Sequence, residues 1–74
     1  MNYVEREQEY RKMANEAGNL IIAYNRQRKK VDTLQAAIVL ELKILNMRRL
    51  RDDCLIKAQA LSEYKNSEAE QGEE

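Results

Sequence analysis

The side chains that could do chemistry in this chain are one cysteine, a pair of aspartates, two arginine-rich groups and a row of tyrosines. Cys54 has Arg51 and Lys57 three residues to either side, which on a helix would bring positive charge near the thiol. A cysteine nucleophile also needs a base, usually histidine, and the chain has none. Cys54 falls on a helical face with Met47, Ala58 and Leu61, so its expected role is that of a small buried apolar residue. Met13 and Met47 are expected to fill gaps in the same way. Asp52 and Asp53 are neighbours in sequence, and adjacent side chains on a helix point about 100° apart. They therefore do not share a site, and their expected partners are Arg48, Arg49 and Lys57 at three- and four-residue spacing. A lone Cys without His does not make a zinc site of the usual N/S type. No Gly-rich phosphate loop and no nucleophile elbow is present either. The expectation is a non-enzymatic protein with no metal and no cofactor.

Two groups could meet phosphate. One is Arg26, Arg28, Lys29 and Lys30; the other is Arg48, Arg49 and Arg51. Nucleic-acid binding through them would release counterions and depend strongly on salt. Against it, the formal net charge is zero and no aromatic residue lies within either group. The competing reading is a solvated face whose long stems cover neighbouring apolar surface. Tyr3, Tyr10 and Tyr24 recur every seven or fourteen residues. A tyrosine in a helical core must place its hydroxyl at an edge, which argues for a wide bundle or an antiparallel pairing. Tyrosine is also enriched where proteins dock. Ala14, Ala17 and Gly18 lie between the tyrosines and would let another backbone approach closely.

The elements that must position these residues are helices. The chain has 74 residues, two Gly and no Pro, and strong helix formers dominate from residue 5 to residue 65. No hairpin-turn dipeptide and no alternating β-branched run appears. Its longest unbroken apolar run is Ala36–Leu40, far below the roughly 20 residues of a membrane span. The first residues lack the basic-then-apolar pattern of a secretory signal, and one Cys makes no internal disulfide. A reducing, cytoplasmic location is the expectation. A chain this short without a disulfide or a metal usually gains its stability from a partner. An amphipathic helix on a lipid surface ranks below such partnering, because the apolar positions spread around the helix.

Apolar spacing carries the rest. Counting in sevens from Tyr3 gives Tyr3, Tyr10, Ala17, Tyr24, Val31, Ile38 and Leu45 without a break. The row three residues later, Arg6, Met13, Leu20, Gln27, Leu34, Glu41 and Arg48, is patchy. The row breaks at Asp52, and the stripe continues in another phase as Met47, Leu50, Cys54, Leu61 and Tyr64. Between residues 31 and 61 two faces are apolar. Val31, Leu34, Ile38, Leu42 and Leu45 form one; Leu40, Ile44, Met47, Cys54 and Ala58 lie nearly opposite. A helix apolar on two sides is buried on two sides.

Two shapes fit this pattern, a long helix or a helical hairpin, each assembling into a coiled-coil or helical bundle. The unbroken heptad row and the helix-forming run Arg26–Lys30 favour one long helix. Asp32 as an N-cap, with Gln35 closing a capping box, is the signal for a hairpin. Residues 1–66 are expected to form one interaction region, and 67–74 an acidic disordered tail.

Charge falls in blocks: residues 1–25 sum to −1, 26–57 to +5 and 58–74 to −4. The basic centre is therefore expected to lie beside acidic ends in an antiparallel assembly. The leading functional expectation is a self-associating helical protein acting through protein–protein contact, as a structural, adaptor or small chaperone-like component. Its partner is itself or another helical protein. Its interface would use Tyr10, Ala17, Tyr24 and Leu61 with a core centred on Val31, Leu34, Ile38, Leu42 and Leu45. Leu40, Ile44, Met47 and Cys54 would form a second interface. Ile38→Asp would then abolish assembly and helicity together. The alternative is a helical-bundle nucleic-acid-binding regulator using Arg26, Arg28, Lys29, Lys30, Arg48, Arg49 and Arg51.

Overall fold

A computed structural model describes residues 3–72, with side-chain burial described from residue 3 to residue 66. The chain is all-helical. Helix α1 spans Tyr3–Arg28 and helix α2 spans Leu34–Gly72. They fold back on each other as a hairpin 63 Å long and 16 × 14 Å across. Its radius of gyration is 17.4 Å, against about 11 Å for a compact domain of this length. The preference for one long helix is thus corrected: the chain reverses at residues 29–33.

The reversal uses neither Gly nor Pro. Val31, Asp32 and Thr33 are consecutive weak helix formers, two of them β-branched. Ahead of them the helix tightens. The Lys29 N–H donates to the Asn25 carbonyl at 3.3 Å, and the Lys30 N–H to the Gln27 carbonyl at 3.0 Å. Thr33 then starts α2: its Oγ1 accepts from the Ala36 N–H at 3.2 Å and its carbonyl from the Ala37 N–H at 3.1 Å. The N-cap is therefore Thr33 and not Asp32. The residue three beyond it is Ala36, so Gln35 does not close a capping box.

The two helices meet along one seam. On α1 it runs Tyr3, Glu7, Tyr10, Ala14, Ala17, Ile21 and Tyr24, all buried or half-buried. On α2 it runs Leu40, Ile44, Met47, Arg51, Cys54, Ala58 and Leu61. Both rows alternate steps of four and three, the spacing that keeps a stripe on one side of a helix. The companion of the tyrosine row thus lies four residues on, at Glu7, Ala14 and Ile21. The patchy row Arg6, Met13 and Leu20 is exposed.

The seam is graded. Towards the loop it is filled by Ile21, Leu40 and Ile44. In the middle it narrows to small residues, Ala17 and Cys54 at 1% exposure and Ala58 at 0%. At the open end tyrosines take over, with the Tyr3 and Tyr64 rings edge-on at 5.2 Å. A Cβ placed on Gly18 would meet nothing within 4 Å, so Ala14 and Ala17 alone bring the backbones together.

The structure also shows why the heptad row from Tyr3 to Leu45 is continuous and yet does not describe one interface. Its first four members line the α1 seam. Val31 lies in the loop, and Ile38 and Leu45 stand on the outside of α2. The five loop residues preserve the count of seven while the chain changes face.

The expected acidic tail, residues 67–74, falls in part outside the described residues. The α2 backbone reaches Gly72, and no side chain beyond Asn66 is described.

Candidate functional site

Placing the hairpin seam on the Leu40–Ile44–Met47–Cys54 side of α2 leaves the opposite side open. Leu34 is 78% exposed, Leu42 56% and Ile56 69%, with Ile38 and Leu45 also exposed. The residues expected to form the centre of the core are therefore outside it in the single chain, except Val31, which is half-buried in the loop. The set expected to form a second interface is the one that closes the hairpin. Along the outer face the order is Leu34, Ile38, Leu42, Leu45, Arg49, Asp52 and Ile56. Steps of four and three keep these positions on one side of the helix.

Next to this face lies a groove of about 340 Å³ between the two helices, lined by Arg28, Ile38, Leu42, Leu45 and Arg48 among others. Arg28 reaches across it to Glu41 at 2.7 Å, tying the end of α1 to α2. Both side chains are about half exposed, so the pair adds at most about 1 kcal/mol. A second groove of about 630 Å³ runs past Gln27, Ala36, Ile38, Val39 and Lys43. Ile38 thus borders both.

The two basic groups are split by the fold. Arg26 and Arg28 end α1, and Lys29 and Lys30 form the turn, all of them exposed. Arg48 stands near Arg28 in the groove. Arg49 points to the outer face. Arg51 belongs to the hairpin seam, half-buried, with its Nε 3.3 Å from Asp52 Oδ1. The three arginines of α2 do not form one patch with the loop.

The groups weighed for chemistry are placed as follows. Cys54 is a free, buried thiol. Asp52 and Asp53 diverge as a helix requires: Asp52 meets Arg51, and Asp53 accepts from Lys57 Nζ at 3.0 Å. Arg48 and Arg49 are not their partners. The hydrogen bond to Asp53, then its charge, raises the Lys57 pKa above the ordinary lysine value. The same ammonium lies 5.7 Å from the centre of the Tyr10 ring, and Lys43 lies 5.7 Å from that of Tyr24. Cation–π contact thus covers the edges where the tyrosines leave the seam. Among the described residues, no cluster of His, Cys, Asp or Glu is arranged to hold a metal ion. Nor is any described helix long and apolar enough to cross a membrane.

No family model, curated protein or solved structure matches the chain significantly. Its functional reading rests on these surfaces.

Proposed function

We propose that this protein is a self-associating helical hairpin that works through protein–protein contact, with the outer face of α2 as its association surface. The observation that carries the reading is the row Leu34, Ile38, Leu42 and Leu45. These four large apolar side chains on one face stand exposed in the isolated hairpin. Single exposed apolar residues are ordinary; a contiguous row on one helix face marks an interaction site. Size points the same way. Two helices meeting along one seam bury too little surface for a secure fold, and stacking a second hairpin adds the missing layer. Docking of two copies through this face would yield a four-helix bundle, suited to a structural, adaptor or chaperone-like role.

Light-scattering mass on a sizing column, with circular dichroism on the same peak, tests this. The wild-type chain is expected to run as a multimer of high helicity. Leu45→Asp is expected to lower the mass to that of one chain while the helical signal persists, because Leu45 lies outside the hairpin seam. An unchanged multimer in Leu45→Asp would reject the outer face as the association surface.

The nucleic-acid reading is supported by the cationic loop end, where Arg26, Arg28, Lys29 and Lys30 gather at the tip of a rod. Salt-dependent binding lost in the Lys29→Glu, Lys30→Glu double variant, with the multimer intact, would promote it over the first.

A further inference from the structure

We infer that the occupant of the outer face of α2 is a second copy of this chain lying antiparallel, full length against full length. In this arrangement Arg49 of each copy meets Asp52 of the other. The inference rests on the self-association proposed above and adds its direction and register.

Charge decides the direction. The hairpin brings Tyr3 to Tyr64 and Arg28 to Glu41, so its midpoint lies near residues 16 and 51. The loop half, residues 17–50, carries seven basic and two acidic side chains. The rest of the chain carries six basic and eleven acidic, four of the acidic ones beyond Asn66. Among the residues whose side chains are described, the hairpin thus has a strongly positive loop half and an open half that is close to neutral, with six basic and seven acidic side chains. Two copies side by side and parallel would set positive half on positive half. An overlap through the loop halves alone would do the same. Full antiparallel overlap avoids setting positive on positive, because each positive half meets one of mixed charge, and it is the arrangement that charge favours.

The residues of the face decide the register. Read against itself in reverse about a point between Leu50 and Arg51, the row pairs Leu45 with Ile56 and Arg49 with Asp52. A two-fold axis makes each pair twice. Leu42 then lies over Gln59 and Ala60, and Ile38 over Glu63, whose Oε1 accepts from Gln59 Nε2 at 3.3 Å in its own chain. A parallel, in-register pairing would instead set Arg49 on Arg49 and Asp52 on Asp52. Within one chain, Arg49 has no ion pair or hydrogen bond among the described residues, although it stands in the middle of an apolar row. Asp52 meets Arg51 of its own chain, and its side chain remains 62% exposed. Polar residues set into an apolar seam weaken it unless they find each other, and so select one alignment.

A charge swap and a distance test this. Arg49→Asp and Asp52→Arg, each alone, turn two attractions into repulsions across the axis. Each is expected to weaken dimerisation by about tenfold or more. The double variant Arg49→Asp, Asp52→Arg restores opposite charges and is expected to return to within about threefold of the wild type. Circular dichroism keeps the comparison to folded chains, since both positions are exposed. Spin labels on Lys30→Cys, in a Cys54→Ala background, report direction. Antiparallel copies place the loops about 60 Å apart at 1.5 Å per residue; parallel copies or loop-half overlaps bring them much closer. A dimer with a short loop-to-loop distance, or a double variant no better than the singles, overturns the antiparallel register and leaves self-association standing. A wild-type chain that is helical but monomeric at all concentrations overturns self-association itself, and the register with it.

Discussion

The two faces of α2 carry similar apolar content and have different fates. The inner face, Leu40, Ile44, Met47, Cys54, Ala58 and Leu61, closes the hairpin. The outer face, Leu34, Ile38, Leu42, Leu45 and Ile56, stays in contact with solvent. Side-chain size separates them. The inner face includes the fully buried small residues Cys54 and Ala58, and the α1 seam includes the buried small residues Ala14 and Ala17, which let the backbones draw together. The outer face has large aliphatic chains and no such narrow point. Close approach multiplies dispersion contacts along the whole seam, so the small face makes the better intramolecular contact. The bulky face is better suited to a second layer, where knobs can fill holes left by large neighbours. Apolar content alone therefore does not say which side of a helix its own chain will cover.

The sharpest way to break this comparison uses adjacent residues. Ile44 is buried in the seam and Leu45 stands outside it. Ile44→Asp would bury an unpaired carboxylate and is expected to abolish helicity, a loss of about 3 kcal/mol or more that a marginal hairpin does not survive. Leu45→Asp is expected to change mass and not helicity. Equal loss of helicity in both would mean that the two faces are not distinct. The same logic revises the expectation for Ile38→Asp. Ile38 is exposed, so this change should affect assembly and spare the helices.

A smaller effect tests the loop that assigns the faces. Thr33→Ala removes the oxygen that accepts from the Ala36 N–H and is expected to destabilise the hairpin by about 1 kcal/mol. Urea unfolding would measure it. Asp32→Ala, at the position expected from sequence to be the cap, should cost less, and the reverse ranking would move the start of α2. The smallest effect sharpens the map of the seam. Gly18 lies beside it with open space around its Cα. Gly18→Ala is expected to stabilise the fold by about 0.5–1 kcal/mol through helix propensity alone. A loss of stability instead would show that a backbone approaches closely there, in the hairpin or across the association surface.

Much of this was legible from residue types. The tyrosine row and the Leu40–Cys54 face are real stripes, and each lines the seam. The link between them is not legible from spacing. Five residues of loop happened to keep the heptad count, so a row spanning both helices looked like one surface. The reversal itself was hard to see because Arg26–Lys30 are good helix formers and no Gly or Pro marks the turn. Its cause is the run Val31-Asp32-Thr33, a modest local penalty that matters only once packing rewards the reversal. Of the candidate site, the large aliphatic residues Leu34, Ile38, Leu42 and Leu45 are legible as an interface stripe from their spacing; that the hairpin leaves them exposed in the single chain is not, because it depends on which face α1 covers.

The sequence by itself determined that the chain is helical, that α2 has two apolar faces and that charge divides along its length. These follow from local propensity, side-chain periodicity and counting, which need no knowledge of what touches what. Only the tertiary structure decided that the chain turns back at residues 29–33, and which face of α2 the turn covers. Both depend on the contact between α1 and α2, a sum of many small terms over residues far apart in sequence. That sum is set by how closely Ala14, Ala17, Cys54 and Ala58 allow two backbones to approach, which no single segment specifies.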